Sequence, residues 1–336
     1  MVSRRACRAR RGRRRRRRSS GRGAPESGPR ALRWISVLDV RQLPRAHGRR
    51  AACRARGRAN RGGGGTVKIG IVGLGLIGGS LALALRDGHD VTGYDTDERA
   101  RSAAKADGIR IASRLEDLLP ADAVLVATPI SAIVPALEQL AARSDGAVLV
   151  DTGSLKRAVA DYADRAPTGA RIVGGHPMAG TTSAGFSAAD PGLFRGRAFL
   201  LVPTARSDDH AMAVAGAIVR EVGATVAVCS ADVHDRAMAR LVAGPLATAA
   251  ALAVAGAQAE PLVAAAGPGF RDSTRLADTP ADLATELLFG NAADSRAAIG
   301  SIIEGLTQLR DALERGDRDY ARSFLQTARS VRRELG

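Results

Sequence analysis

The chain has 336 residues, with 50 Lys and Arg against 34 Asp and Glu, for a formal net charge of +16. The charge is unevenly placed: residues 1–65 hold 22 Arg, no Lys and two acids (Glu26 and Asp39), a net of +20, whereas residues 66–336 carry a net of −4. The basic total therefore belongs to one segment and gives the mildly acidic body no nucleic-acid-binding character. Apolar residues make up 45% and aromatics only 3%, enough for about two domains with cores of Ala, Val, Leu and Ile. The three cysteines (Cys7, Cys53 and Cys229) form no CxxC pattern, which supports neither a disulfide framework nor a zinc site, so a reducing, cytoplasmic setting with no metal is expected.

Residues 1–65 contain the run Arg10–Arg18 and the four glycines Gly62–Gly65. Such a segment repels itself and buries little, so disorder is expected. The absence of an apolar stretch behind the basic block argues against a secretory signal. The expected reading is upstream sequence outside the working protein, with a natural start near Val67, because Arg outnumbers Lys 47 to 3 over the chain, the mark of a GC-rich frame. A targeting peptide and a tail for nucleic acid or an anionic surface are the alternatives.

From Val67 the pattern changes. Val67–Val72 is a strand-like apolar run, followed by Gly73-Leu-Gly75-Leu76-Ile77-Gly78 and the apolar helical stretch Leu81–Leu85. Strand, GxGxxG and helix in that order form a dinucleotide fingerprint: the glycines permit the turn, the approach of a pyrophosphate and helix–strand packing, and the phosphates sit on the helix N-terminus. A second strand over His89–Tyr94 ends at Asp95, 22 residues beyond Gly73, where a carboxylate accepts the adenosine ribose hydroxyls and repels a 2′-phosphate. NAD is therefore expected over NADP, although Arg99 lies close. Further strand-like runs at Ala123–Ala127, Ala147–Val150 and Arg171–Val173 alternate with helical segments at Ile130–Ala142 and Leu155–Arg165. This alternation predicts a Rossmann-type α/β domain over residues 66–228, with a doubly wound parallel sheet. Its ligands bind beyond the strand C-termini, which makes Thr128-Pro129, Asp151–Lys156 and Gly174–Gly180 the candidates for cofactor contact and chemistry.

Beyond about Val226 strand signals stop, and residues 229–336 read as an all-α domain. Ile299, Ile302, Ile303, Leu306, Leu309 and Leu313 repeat at helical spacing. Leu241–Ala257 is uncharged but short and Ala-rich, so it reads as a buried helix, not a membrane span, with small side chains suited to close packing at a dimer interface.

These pieces resemble the prephenate dehydrogenase family and its arogenate-using relatives: Gly73–Gly78 with Asp95, Asp151-Thr-Gly-Ser-Leu-Lys156, Gly174-Gly-His-Pro-Met-Ala-Gly180, His234-Asp235 and Gly267–Arg275. The resemblance implies a dinucleotide-binding domain, a helical domain that forms a homodimer, and NAD-dependent oxidative decarboxylation of prephenate to 4-hydroxyphenylpyruvate in tyrosine biosynthesis. It assigns His176 as the base that takes the substrate hydroxyl proton, with an imidazole suited to neutral pH. Ser154 is then its hydrogen-bond partner, or a cap for a helix starting at Leu155. Lys156 reads as a solvated first-turn residue. Arg271 and Arg275 are candidate ligands for the dianionic substrate, one of them free and one paired with Asp272 or Asp278, and His234 is a further substrate contact.

The sequence departs from the family at one place. His-Asp is usually followed there by Ser-His-x-Pro-His, whereas this chain has Val242, Ala243, Pro245 and Leu246. That loss leaves arogenate or an amino-deoxyprephenate as alternative substrates. The end of the last helix near Leu335 leaves no expected room for an appended regulatory domain. A β-hydroxyacid dehydrogenase would require a lysine in the helical half, and Lys68, Lys105 and Lys156 all precede it. A non-catalytic NAD-binding regulator with a basic tail is the alternative from another class.

Overall fold

In the computed structural model, residues 66–334 are described, except 181, 182 and 261. The expectations for residues 1–65, the early start, the targeting peptide and the nucleic-acid tail, lie outside the described residues.

Residues 66–228 alternate as expected. The strands are β1 (Lys68–Val72), β2 (Asp90–Tyr94), β3 (Arg110–Ile111), β4 (Ala123–Val126), β5 (Val148–Asp151), β6 (Arg171–Pro177), β7 (Ala198–Pro203) and β8 (Thr225–Val228). The helices are α1 (Leu76–Leu85), α2 (Glu98–Ala106), α3 (Ile130–Ala141), α4 (Arg157–Arg165) and α5 (Asp209–Glu221). One sheet runs β3-β2-β1-β4-β5-β6-β7-β8. β1 pairs in parallel with β2 on one side and β4 on the other, so the strand order reverses between β1 and β4. That switch point opens a crevice at the strand C-termini. β1 to β6 are parallel, whereas β7 pairs antiparallel to β6 and β8 follows β7. The reversal goes with a connection that, among its described residues, holds a 3-10 turn at Phe186–Ala188 in place of a crossover helix.

The central strands are buried on both faces, as β4 and β5 show along their whole lengths. One apolar cluster lies between the sheet and α1 and α5, through Leu81, Leu85, Ile218 and Val219. The other lies under α3 and α4, through Ile133, Leu137, Leu140, Val159 and Tyr162. Each fully buried aliphatic side chain contributes about 1.5–3 kcal/mol, so these two layers fix where the strand C-termini point.

The remaining residues are helical: α6 (Ala231–Met238), α7 (Gly244–Gly256), α8 (Pro268–Thr274), α9 (Ala281–Phe289), α10 (Ala292–Arg315) and α11 (Arg318–Glu334). A π-helical turn at Ala239–Ala243 joins α6 to α7 in a continuous 26-residue helix. Pro245 supplies the cause, since it offers no N–H to the carbonyl four residues back and its ring crowds that carbonyl. Two expectations need correction here. The uncharged stretch is not buried within the chain: Ala243, Gly244, Leu246 and Ala249 are, but Leu241 and Val254 are 63% and 70% exposed. The helix is also longer than that stretch, and by length and composition alone it could cross a membrane. Its first turns, however, carry His234 and Asp235 into the polar site described next.

Candidate active site

The nucleotide crevice begins with Gly73, which has φ +87°, and a Cβ there would meet the Ala127 carbonyl at 2.5 Å. A Cβ on Gly78 would strike the Gly73 carbonyl at 1.8 Å, whereas one on Gly75 would meet nothing within 4 Å. The first and third glycines thus allow tight packing, and the second leaves open space above the N-terminus of α1. There Gly75 is the N-cap, and no side chain covers the free N–H groups that lead to Leu76 and Ile77. The Asp95 carboxylate receives the Leu74 N–H at 2.6 Å and the Asp97 N–H at 2.8 Å, which anchors it beside the glycine turn. Across the crevice, Thr128 Oγ1 is buried without a hydrogen-bond partner, next to Pro129, the N-cap of α3. A bare helix N-terminus, an anchored carboxylate and an unsatisfied hydroxyl fit the phosphates and ribose of a dinucleotide.

At the C-termini of β5 and β6 lies a buried polar network. Lys156 is completely buried, so it is not the solvated residue expected from its place before α4. Its ammonium donates to the Asp151 carboxylate and to the Gly175 carbonyl. Asp151 also receives the Gly153 N–H at 2.9 Å and the Gly175 N–H at 3.2 Å. Burial pushes the Asp151 carboxyl up and the Lys156 ammonium down, while their mutual contact opposes both shifts.

His176, at the end of β6 and 7% exposed, sits against this pair. Its Nδ1 lies 2.9 Å from Nε2 of His234, and His234 Nδ1 lies 2.7 Å from the Asp235 carboxylate. The two imidazoles meet edge to face, with centroids 5.1 Å apart. Burial, and after it the nearness of Lys156 and His234, push the His176 imidazole down to about 3, well below the near-neutral value expected of a free histidine. Asp235 works against burial, yet the His234 hydrogen bond and the N–H groups of Arg157 and Lys156 hold it below the usual carboxylate range.

Ser154 is placed differently from its expected role. His176 Nδ1 meets His234, and no Ser154–His176 hydrogen bond is found among the described residues. Nor does Ser154 cap a helix: α4 starts at Arg157, and its first N–H groups, from Lys156 and Arg157, go to the Asp235 carboxylate at 2.9 and 3.0 Å. Ser154 instead lines a narrow gap with Met238, Val242, Ala243, Leu287 and Asn291. Two of the substituted positions, Val242 and Ala243, thus make an apolar wall beside Ser154. His234 is brought to the site as expected, as a neighbour of His176.

Arg271 and Arg275 are not brought there. Both are exposed and neither forms an ion pair among the described residues, contrary to the expected pairing with Asp272 or Asp278. Arg271 donates to the Ala266 carbonyl at 3.2 Å. The neighbouring Phe270 ring packs under Gly256, 22 residues along the same long helix from His234, a distance of roughly 33 Å at 1.5 Å per residue.

Arg157 and Asn291 were missed from sequence, whereas Asp151, Lys156 and Asp235 stood inside the candidate motifs without the partnership the structure gives them. Arg157 bonds Asp232, Asp294 and Asn291, and Asn291 in turn donates to the Asp235 carbonyl at 2.7 Å, which locks the helical half onto α4. A signal for the Asp151–Lys156 pair was present: Asp151 ends an apolar strand, and Lys156 is the nearest cation on the same crossover.

A nucleotide-binding sheet domain joined through a buried polar network to a helical domain defines a two-domain oxidoreductase. The chain belongs to the prephenate dehydrogenase family: residues 81–228 match its nucleotide-binding domain and residues 230–327 its dimerization domain. It is 32% identical to the prephenate dehydrogenase of Bacillus subtilis (strain 168) over 276 residues, covering 78% of this chain and 74% of that protein. It is 30% identical to the cyclohexadienyl dehydrogenase of Zymomonas mobilis over 280 residues, covering 80% and 95%. Among solved structures, Synechocystis arogenate dehydrogenase matches with a TM-score of 0.69 at 29% identity, over 80% of this chain and 99% of that one. The prephenate dehydrogenase of A. aeolicus in complex with hydroxyphenyl propionate and NAD+ matches with a TM-score of 0.75 at 25% identity, over 82% and 100%.

Proposed function

We propose that this protein catalyses the NAD-dependent oxidative decarboxylation of prephenate to 4-hydroxyphenylpyruvate in the cytoplasm, as a homodimer. The observation that carries the reading is His176, a neutral imidazole at the carboxyl end of β6, beyond the strand termini where the nucleotide crevice also opens. NAD, when bound, supplies a hydride acceptor; the substrate ring loses its carboxylate as CO2 and becomes aromatic, which drives the reaction. The protein contributes position and one base. Gly73, Gly75, Gly78, Leu76 and Ile77 shape the phosphate cradle, Asp95 orients the adenosine ribose, and Thr128 and Pro129 border the crevice. His176 takes the hydroxyl proton, and Ser154 contributes its hydroxyl from the wall of the adjoining gap.

Arg271 and Arg275 remain the guanidinium candidates for the substrate carboxylates. Because Phe270 packs at the far end of the α6–α7 helix, Arg271 would serve the site of a second copy, and the exposed apolar side chains of that helix would be covered in the same assembly.

Arogenate is the second reading, favoured by the apolar wall of Val242 and Ala243 and by the likeness to an arogenate dehydrogenase. The test is nucleotide reduction by the purified protein with prephenate, arogenate and amino-deoxyprephenate, each with NAD and NADP. Prephenate with NAD should give the highest kcat/KM, and His176→Asn should lower it by about 10²–10⁴-fold. Higher kcat/KM with arogenate would transfer the assignment to the second reading. No turnover of any of the three would refute both.

A further inference from the structure

We propose that His234, held by Asp235, is the positioning residue that fixes the tautomer of His176, leaving Nε2 of His176 as the proton-accepting atom. The inference rests on His176 being the base of the reaction proposed above, and it replaces Ser154 in the orienting role.

The chain of contacts has one direction. Asp235 accepts two backbone N–H groups, from Lys156 and Arg157, on a carboxylate held in its ionised form. An ionised carboxylate only accepts, so the 2.7 Å contact places a proton on His234 Nδ1. A single ring proton there leaves His234 Nε2 with its lone pair. The 2.9 Å contact to His176 must then be filled by a proton on His176 Nδ1. What remains is the lone pair on His176 Nε2, and no partner for that atom is found among the described residues.

The arrangement also serves the charge that forms when the base works. As the substrate O–H bond breaks and its proton moves to Nε2, His176 becomes a cation beside Lys156. Through His234 the Asp235 carboxylate lies two hydrogen bonds away and offsets that charge. The carboxylate comes from the helical half, while the base comes from the sheet half. Docking of α6 on the N-terminus of α4 therefore sets the protonation geometry of a residue on β6.

The test is the tautomeric state of His176 in the full-length protein, read from ¹⁵N-labelled imidazoles by two-bond ¹H–¹⁵N correlation. The chain has five histidines, and His176→Asn identifies the resonance. The wild-type protein should show His176 protonated at Nδ1 and bare at Nε2. His234→Leu should shift it to the Nε2–H form and lower kcat by about 100-fold with KM nearly unchanged. His234→Gln, whose amide oxygen can reach the place of Nε2, should keep the Nδ1–H form and restore most of the turnover. A wild-type His176 bearing its proton on Nε2 would overturn the proposal, and that measurement decides the matter even if His234→Leu fails to fold. An unchanged tautomer in folded His234→Leu would overturn it equally. Full turnover by His176→Asn would instead refute the role of His176 as base, a separate failure that leaves the tautomer reading unaffected.

Discussion

Removing the Lys156 ammonium would leave the Asp151 carboxylate inside the protein with only two backbone N–H groups as partners. Breaking a buried pair from one side costs about 3–5 kcal/mol. Lys156→Met should therefore lower the urea midpoint by that equivalent, and adding Asp151→Asn should recover part of the loss. His176 makes a pH-dependent prediction of opposite origin. Its imidazole is pushed down from 6.5 to about 3 in the folded chain, so as pH falls below 6.5 the unfolded chain binds a proton that the folded chain refuses. Stability then falls with acidification by up to about 1.4 kcal/mol per pH unit until about pH 3. Comparing unfolding at pH 7 and pH 5, His176→Gln should lose about 2 kcal/mol less than the wild type. At this scale the sequence was only partly legible. The glycines, Asp95 and His176 announce themselves by motif, but burial of Lys156 and the pairing of two imidazoles 58 positions apart depend on how the two halves meet.

The elements were easier to read where one face or both are apolar. β1, β4 and β5 are continuous apolar runs, and α3 was visible despite Pro135 in its interior. β7 and β8 went unread because β8 is only partly buried and carries no strong alternation, and the reversal at β7 follows a connection whose described residues form a 3-10 turn in place of a crossover helix. The start of α4 was misplaced by two residues because its cap comes from Asp235, 78 positions beyond Arg157, instead of from the adjacent Ser154. The helical half shows the reverse case, in which a local signal suffices. α10 ends at Gly316, in the left-handed region at φ 67°, and the chain turns directly into α11. Gly316→Ala should destabilise the protein by about 1 kcal/mol, measured by thermal unfolding, without changing kcat.

For the whole molecule, the +16 charge resolves into +20 on residues 1–65 and −4 on residues 66–336, and the division into a sheet half and a helical half was legible from periodicity and motif. What neither could supply was the distance between Arg271 and His176. If each site joins His176 of one copy to Arg271 of another, neither His176→Asn nor Arg271→Ala should be active alone. Mixed and reassorted dimers should regain roughly a quarter of wild-type turnover, because half of the dimers then hold one intact site. Mixtures that stay inactive would place Arg271 outside the substrate site.

The anchoring of Asp235 on the first N–H groups of α4 has a consequence for engineering. The point between Val228 and Ala231, where strand gives way to helix, is a boundary of shape but not of chemistry. A fragment ending there would lose the carboxylate that terminates α4 and the imidazole that faces His176. A chimaera taking its helical half from a relative with another substrate would keep its proton acceptor only if the graft brought a His-Asp pair of its own, in the same register on its first helix.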